Sequence, residues 1–122
     1  MAQSIFERYG GFAKVSRIVS SFYDKANESA LLAPYFENID MRRLIDHQTK
    51  FVAFLMGGPA SFSNEELERV HSRLNINDRE FDEMVALFKE TLEDFDFEDT
   101  DIAAVQSELI SRKRYIVARR SA

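Results

Sequence analysis

The chain has 122 residues, of which 45% are hydrophobic and 30% are charged, which is typical of one globular domain with a modest core. Its net charge of −5 gives no general attraction for nucleic acid, and the lack of cysteine excludes disulfides, iron–sulfur clusters, thiolate zinc sites and cysteine-attached cofactors. No signal-peptide pattern is visible, and no apolar run approaches the roughly 18 residues of a membrane span. We therefore expect a soluble cytoplasmic protein without stable membrane insertion.

Nearly the whole chain shows helical spacing of its apolar residues, and no stretch alternates as a half-buried strand does. Residues near 3–8 predict a short opening helix that ends at Gly10-Gly11. A second helix, ending near Asn27 or Ser29, has an apolar face formed by Phe12, Val15, Ile18, Val19 and Phe22. These patterns predict an all-α protein.

A tight segment with Pro34, Tyr35 and Phe36 precedes the next predicted helix, which runs from Met41 to Met56. Asp40 is a natural N-cap for this helix, and Gly57-Gly58-Pro59 ends it. Its apolar face repeats at steps of about one helical turn and consists of Leu44, His47, Gln48, Phe51 and Leu55. One histidine is therefore predicted to lie on the face that packs inward.

Three more helices are predicted in the second half of the chain. The first is short and has Leu67, Val70 and Leu74 on its apolar side, with His71 beside them. The second begins after Asn77 as a possible cap, and its face consists of Phe81, Met84, Val85, Phe88 and Leu92. The acidic segment from Glu93 to Asp101 predicts a hinge. One final helix then carries Ile102, Val105, Leu109 and Ile116.

His71 is the most informative residue, because the chain has only two histidines. A neutral imidazole against an apolar surface offers a nitrogen lone pair that can bind a metal. The alternative is a core histidine whose hydrogen bonds are satisfied within the fold, which is the commoner role of an isolated histidine. Two helices that each present one imidazole, His47 and His71, in a chain without cysteine suggest a haem between them.

Five segments share their order and spacing with one known family. They are Phe6-Glu7-Arg8-Tyr9-Gly10-Gly11, Val19-Ser20-Ser21-Phe22-Tyr23, Ala33-Pro34-Tyr35-Phe36, the stretch Asp40 to Pro59 with its second double glycine, and Val70-His71-Ser72-Arg73-Leu74. Together they resemble the group I truncated haemoglobins over nearly the whole chain. The resemblance implies an all-α truncated globin, a two-over-two helical sandwich around a haem, in a single domain over residues 1–122.

The resemblance also implies roles for individual residues in a haem b site without a covalent link. His71 would be the proximal iron ligand, and Tyr23 and Gln48 would donate hydrogen bonds to a bound gas. His47 would be either a second iron ligand in the gas-free state or a residue at the haem edge. Further haem contacts are expected from Phe36, Leu44, Phe51, Leu55, Leu67, Leu74, Phe81 and Met84. An ordinary core or surface role is the alternative for each of these side chains.

Two positions depart from the family pattern. The last helix has no histidine, which rules out the covalent haem linkage that some relatives make there. Leu44 stands where some relatives have glutamine, which removes one possible hydrogen bond to a bound gas.

The function implied is the binding of oxygen and other diatomic gases, such as nitric oxide and carbon monoxide, by a monomer. One alternative is nitric oxide dioxygenase-type detoxification, in which the oxygenated haem converts nitric oxide to nitrate. That reaction would need an external electron donor, because 122 residues leave no room for a reductase domain. A second alternative is a haem-free helical interaction module with a metal between its two histidines.

Two groups of basic residues have both an ordinary and a functional interpretation. Arg43, Lys50, Arg69 and Arg73 are near enough in sequence to pair with haem propionates, and most such residues are ordinary surface charges. A second cluster consists of Arg112, Lys113, Arg114, Arg119 and Arg120. These cations suit the negative end of a helix dipole, and a contact with an anionic membrane or a partner is the alternative.

Overall fold

The structure is a computed structural model that describes residues 3–71 and 74–117. Its seven α-helices are α1 (Ile5–Arg8), α2 (Gly11–Glu28), α3 (Met41–Leu55), α4 (Asn64–His71), α5 (Asp78–Asp94), α6 (Asp99–Ile110) and α7 (Lys113–Ile116). A 3₁₀ helix spans Ala33–Phe36 between α2 and α3. No strand occurs in these residues, so the all-α prediction is confirmed.

Some predictions lie outside the described residues. They concern the side chain of Val70 and the residues Ser72, Arg73, Arg119 and Arg120. Within the described part, no helix combines the length and the apolar character that crossing a membrane requires.

Three contacts between the larger helices and one between two short helices build the fold. α2 packs against both α3 and α5, and α5 packs against α6. The short α4 packs mainly against α7. The buried core between the larger helices includes Val15, Ile18, Val19, Phe51, Val52, Leu55, Phe81, Phe88, Leu92, Val105 and Leu109. Because α4 is the element that carries His71, the pair of short helices positions this imidazole against the larger ones.

Two of the predicted helix starts are set by side-chain caps. The Asp40 carboxylate accepts a hydrogen bond from the Arg43 backbone N–H at 3.2 Å, one turn into α3. Asn77 and Glu80 form a reciprocal capping box at the start of α5, with N–O distances of 2.8 and 2.9 Å. These bonds satisfy backbone donors that the first turn leaves unpaired, so both helices begin where the sequence predicts.

The structure differs from the prediction in the last third of the chain. α5 continues to Asp94, so the predicted hinge is reduced to residues 95–98, where Asp96 has a positive φ of 61°. The predicted final helix is interrupted after Ile110 and resumes as α7. The Arg112 guanidinium folds back to the Glu108 carbonyl at 2.6 Å and lies over the Phe54 ring, 4.9 Å from its centroid. Both contacts of Arg112 lie just after the point where α6 ends.

The apolar face of α2 also differs from the prediction at its first residue. Phe12 is 42% exposed, whereas Val15, Ile18 and Val19 are buried. The Phe12 ring instead meets Phe6 edge to face, with centroids 4.8 Å apart. At the start of α2, Phe12 therefore packs on α1 through Phe6.

A polar cluster ties α1 to α6 at one end of the molecule. Arg8 donates to Asp101 at 3.0 Å, and the Tyr9 hydroxyl donates to the same carboxylate at 2.6 Å. The Tyr9 oxygen accepts from the Glu98 backbone N–H at 3.1 Å, and the Tyr9 ring stacks on Phe97 at 3.7 Å. Hydrogen bonds from Arg8, and then from Tyr9, hold the pKa of the buried Asp101 below its usual range.

We expect Asp101→Asn to lower the free energy of unfolding at pH 7 by about 1.5–3 kcal/mol, the range for hydrogen bonds to a charged group. Because the folded state lowers the pKa of Asp101, the ionised carboxylate stabilises folding above the ordinary aspartate pKa of about 3.9. That stabilisation is lost as the pH falls through the lower folded-state pKa. Urea unfolding of both proteins should therefore show a difference that shrinks below about pH 4.

Asp99→Asn is the matched control, since Asp99 lies in the same turn of α6 and is exposed. It should unfold like the wild type. A difference between wild type and Asp101→Asn that stays constant from pH 7 to pH 3 would contradict a role for the ionised carboxylate.

Candidate functional site

A largely apolar cavity of about 120 Å³ lies among α2, the 3₁₀ helix, α3, α5 and the end of α4. Its lining residues are Phe22, Tyr23, Leu32, Tyr35, Phe36, Leu44, Gln48, Phe51, His71, Leu74, Ile76, Glu80, Met84, Leu109 and Ile116. A second cavity of about 60 Å³ shares six of these, namely Phe22, Tyr23, Gln48, Phe51, Met84 and Leu109. Apolar walls with a few convergent polar groups are typical of a cofactor site.

His71 presents its imidazole to the larger cavity from the last residue of α4. The ring nitrogen Nδ1 lies 2.8 Å from the carbonyl oxygen of Leu67, one turn earlier. A carbonyl can only accept, so this bond requires the proton on Nδ1 and leaves the lone pair on Nε2. Burial lowers the pKa of His71, against the opposing effect of the Leu67 bond. The imidazole is therefore neutral near pH 7 and suited to bind a metal.

Tyr23 lines both cavities from the middle of α2. Its ring meets Phe22 and Phe36 edge to face, with centroid distances of 5.0 and 5.4 Å. Burial raises the pKa of its hydroxyl far above the ordinary value. Within the described residues this hydroxyl has no hydrogen-bond partner. Buried polar groups are seldom left without one, so the hydroxyl is a donor available to a molecule in the cavity.

α3 supplies a second polar group and much of the apolar wall. Gln48 is half-buried and lines both cavities, with Leu44 one turn before it. Phe51 is buried and meets Phe62 edge to face at 5.6 Å. Leu55 lines the smaller cavity. The predicted inward face of α3 is thus correct for these four residues.

His47 differs from its predicted position. Its side chain is exposed and lines neither cavity. Each residue turns an α-helix by about 100°, so His47 points well away from its neighbour Gln48, which takes the inward position. The step of three from Leu44 places His47 at the edge of the apolar face, and its side chain points to solvent.

The four haem contacts predicted from the second half of the chain divide into two sets. Leu74 and Met84 line the larger cavity, although Leu74 is 42% exposed. Leu67 and Phe81 are buried in the core and line neither cavity. The Phe81 ring instead faces the Lys113 ammonium of α7, 5.6 Å from its centroid.

Several lining residues were not predicted from the sequence. They are Leu32, Tyr35, Ile76, Glu80, Leu109 and Ile116, and in the smaller cavity Val19, Val52 and Phe88. Tyr35 could have been found as the immediate neighbour of Phe36. Glu80 could not, because its role in the capping box of α5 already explains its presence.

The residues present fit a haem. One neutral imidazole with its Nδ1 proton engaged is the donor that haem iron takes in globins. The cavity wall is largely aromatic and aliphatic, and the Tyr23 hydroxyl, which no described residue pairs with, supplies a donor for a ligand. Tyr23 and Gln48 therefore lie with His71 on one cavity, as the family resemblance implies.

Comparisons with known proteins agree with this geometry. The sequence model of the bacterial-like globin family matches residues 4–116. A group 1 truncated haemoglobin of Tetrahymena pyriformis is 28% identical over 100 residues, which are 82% of this chain and 83% of the relative. A group 1 truncated haemoglobin of Mycolicibacterium paratuberculosis is 30% identical over 78 residues, or 64% of this chain and 57% of the relative.

Solved structures match the fold over nearly its full length. The truncated haemoglobin of Tetrahymena pyriformis in its Fe(III) form superposes with a TM-score of 0.86 at 24% identity, covering 96% of this chain and 100% of that one. The two-over-two haemoglobin of Synechococcus, solved with covalently attached haem, gives 0.88 at 24% identity and the same coverage.

The family match covers most of the chain, and the relatives and structures agree with it. Membership of a globin family supports a function in haem-based gas binding. The chain belongs to the bacterial-like globin family and is a group I truncated haemoglobin with the two-over-two helical fold.

Proposed function

We propose that this chain binds haem b non-covalently, with His71 as its proximal ligand, and that the complex binds oxygen and other diatomic gases. The observation that carries the proposal is the neutral His71 imidazole on an apolar cavity that also holds the Tyr23 phenol, which has no hydrogen-bond partner in the described part of the chain. Haem supplies the iron at which a diatomic gas binds. The chain would supply the axial donor, the hydrogen bonds to the gas and the apolar wall that excludes water.

His71 would hold the iron through Nε2. Its Nδ1 bond to Leu67 fixes the tautomer and the ring orientation, as bonds to the outer nitrogen of metal-binding histidines generally do. The lowered pKa of His71 keeps protons from competing for the ring until the pH falls below the ordinary histidine range. Both effects favour ligation at neutral pH.

Tyr23 would donate the main hydrogen bond to the bound gas, and Gln48 a second one. The raised pKa of Tyr23 keeps its hydroxyl protonated at any physiological pH, so it remains a donor. Phe36, Leu44 and Phe51 would exclude water around these donors. A hydrogen bond is stronger in such low-dielectric surroundings than in water.

The attachment would be non-covalent because the only histidines in the sequence are His47 and His71. No histidine remains in the last helix for a covalent bond to the haem. Arg43 and Lys50 are exposed on α3 and are candidates to pair with the propionates. Arg69 is a third candidate, and Arg73 lies outside the described residues.

Absorption spectroscopy tests the proposal directly. Purified protein titrated with haemin should give an intense Soret band that saturates at one haem per chain, and the reduced complex should shift on addition of carbon monoxide. Absence of a saturable Soret band would favour the haem-free interaction module. Rapid nitrate formation from nitric oxide, sustained by an external electron donor, would extend the proposal to dioxygenase chemistry.

His47 tests the position of α3 against the haem. We propose that it is a rim residue, because its side chain is exposed and lines neither cavity. The reduced, gas-free spectra of wild type and His47→Ala should therefore be the same high-spin, five-coordinate type. A low-spin six-coordinate band in the wild type that His47→Ala removes would show that α3 moves and that His47 ligates the iron.

A further inference from the structure

One carboxylate oxygen joins two segments of the cavity wall that are far apart in the sequence. Oε1 of Glu80 accepts a hydrogen bond from the Tyr35 hydroxyl at 2.6 Å. The same oxygen accepts from the Asn77 backbone N–H at 2.9 Å. The Asn77 side chain in turn accepts from the Glu80 backbone N–H at 2.8 Å, so the carboxylate is held in place at the start of α5.

Each joined segment carries a residue that touches the proposed gas site. Tyr35 belongs to the 3₁₀ helix and immediately precedes Phe36, whose ring meets the edge of Tyr23 at 5.4 Å and 84°. On the other side, Asn77 directly follows Ile76, which lines the same cavity as His71. A single carboxylate thus connects the Tyr23 side of the cavity with the His71 side.

We propose that Tyr35 and Glu80 form a positioning pair that fixes the Phe36 ring and, through it, the direction of the Tyr23 hydroxyl. The inference rests on the proposed function and adds a determinant of gas affinity that does not itself touch the gas. Because no described residue forms a hydrogen bond with the Tyr23 hydroxyl, the direction of that hydroxyl depends on the rings around it. Phe36 is one of those rings, and its backbone is anchored through Tyr35.

The Tyr35–Glu80 bond is suited to this role at physiological pH. Burial, together with the Glu80 carboxylate, raises the pKa of Tyr35 to about 12, so the phenol stays a donor. Backbone hydrogen bonds around the 3₁₀ helix run from Ala33 to Ser29, from Tyr35 to Leu32 and from Ile39 to Phe36, so they join residues that are close in the sequence. The hydrogen bond from the Tyr35 side chain to Glu80 adds a tie between this turn and α5.

Tyr35→Phe tests the proposal, since it deletes the hydroxyl and keeps the ring. In the haem-reconstituted protein we expect oxygen dissociation to accelerate by roughly 2- to 10-fold, the range equivalent to one hydrogen bond, with a shift of the C–O stretch in the carbon monoxide complex. Glu80→Gln retains an acceptor and should give a smaller change. Hydrogen exchange of the Ile39 amide, which bonds to Phe36, should also accelerate.

Ser29→Ala is the matched control. The Ser29 hydroxyl donates to Glu83 at 2.8 Å, which also ties the chain after α2 to α5, but Ser29 lines neither cavity. Its oxygen dissociation rate and C–O stretch should equal those of the wild type. Equal changes in Ser29→Ala and Tyr35→Phe would mean that a general loosening of the contacts with α5, and not the positioning of Phe36, sets the oxygen dissociation rate.

The double variant Tyr35→Phe/Tyr23→Phe decides whether the effect passes through Tyr23. If it does, Tyr35→Phe has no further effect on dissociation once the Tyr23 hydroxyl is gone. If the two substitutions instead multiply each other's effect on the oxygen dissociation rate, the proposal is overturned. It is also overturned if Tyr35→Phe binds haem normally and releases oxygen at the wild-type rate. Failure of the wild type to bind haem would instead overturn the proposed function.

Discussion

Replacing His71 with alanine is expected to abolish stable haem uptake. Among the described residues that line the cavity, His71 is the only imidazole, and its loss removes the proposed iron–nitrogen bond while leaving the apolar wall intact. Haemin titration should then give a weak, broad band without saturation at one haem per chain. Free imidazole, small enough to enter the space that alanine leaves, should partly restore the Soret band.

His47→Ala is the control for this experiment, because it removes the other histidine of the chain from an exposed position. Its haemin titration should match that of the wild type. If His71→Ala retained the reduced spectrum and the carbon monoxide complex of the wild type, the assignment of His71 as proximal ligand would be wrong.

Tyr23→Phe is expected to raise the oxygen dissociation rate by about 5- to 150-fold, which corresponds to a loss of about 1–3 kcal/mol. The substitution deletes the hydroxyl but keeps the ring that packs against Phe22 and Phe36. Association should change far less, because the donor acts on the bound gas. Stopped-flow kinetics measure both rates.

Two further variants calibrate the Tyr23 result. Gln48→Leu should have a smaller effect on dissociation if Tyr23 is the main donor. Tyr115→Phe removes a phenol that lines neither cavity and should have no effect. A dissociation rate for Tyr23→Phe equal to that of wild type would show that Gln48 or no side chain stabilises the bound gas.

Helix boundaries were predictable where nearby residues determine them. Asp40 and Asn77 cap α3 and α5 through bonds to residues three positions away, and both starts agree with the sequence. The interruption between α6 and α7 was missed because apolar spacing continues through it. Arg112 lies over Phe54 of α3, a residue 58 positions earlier, and no local pattern predicts that contact.

The candidate site was predictable to a similar extent. Spacing on α3 identified Leu44, Gln48 and Phe51, which do line the cavity, but it could not separate the edge of the face from its centre at His47. On α5 the same apolar face serves both core and cavity. Phe81 is 1% exposed in the core and Met84 lines the cavity, a distinction that depends on the packing partners.

The small size of the α4–α7 pair has a consequence for cofactor exchange. α4 has eight residues and packs mainly on the four-residue α7, whereas α2, α3 and α5 share the large core. Elements with few buried contacts open at a lower free-energy cost than the whole domain. We therefore expect haem to leave by local opening of this pair. The half-life of haem transfer to an acceptor apoprotein should then be the same in Asp101→Asn as in wild type, although the two proteins differ in resistance to urea.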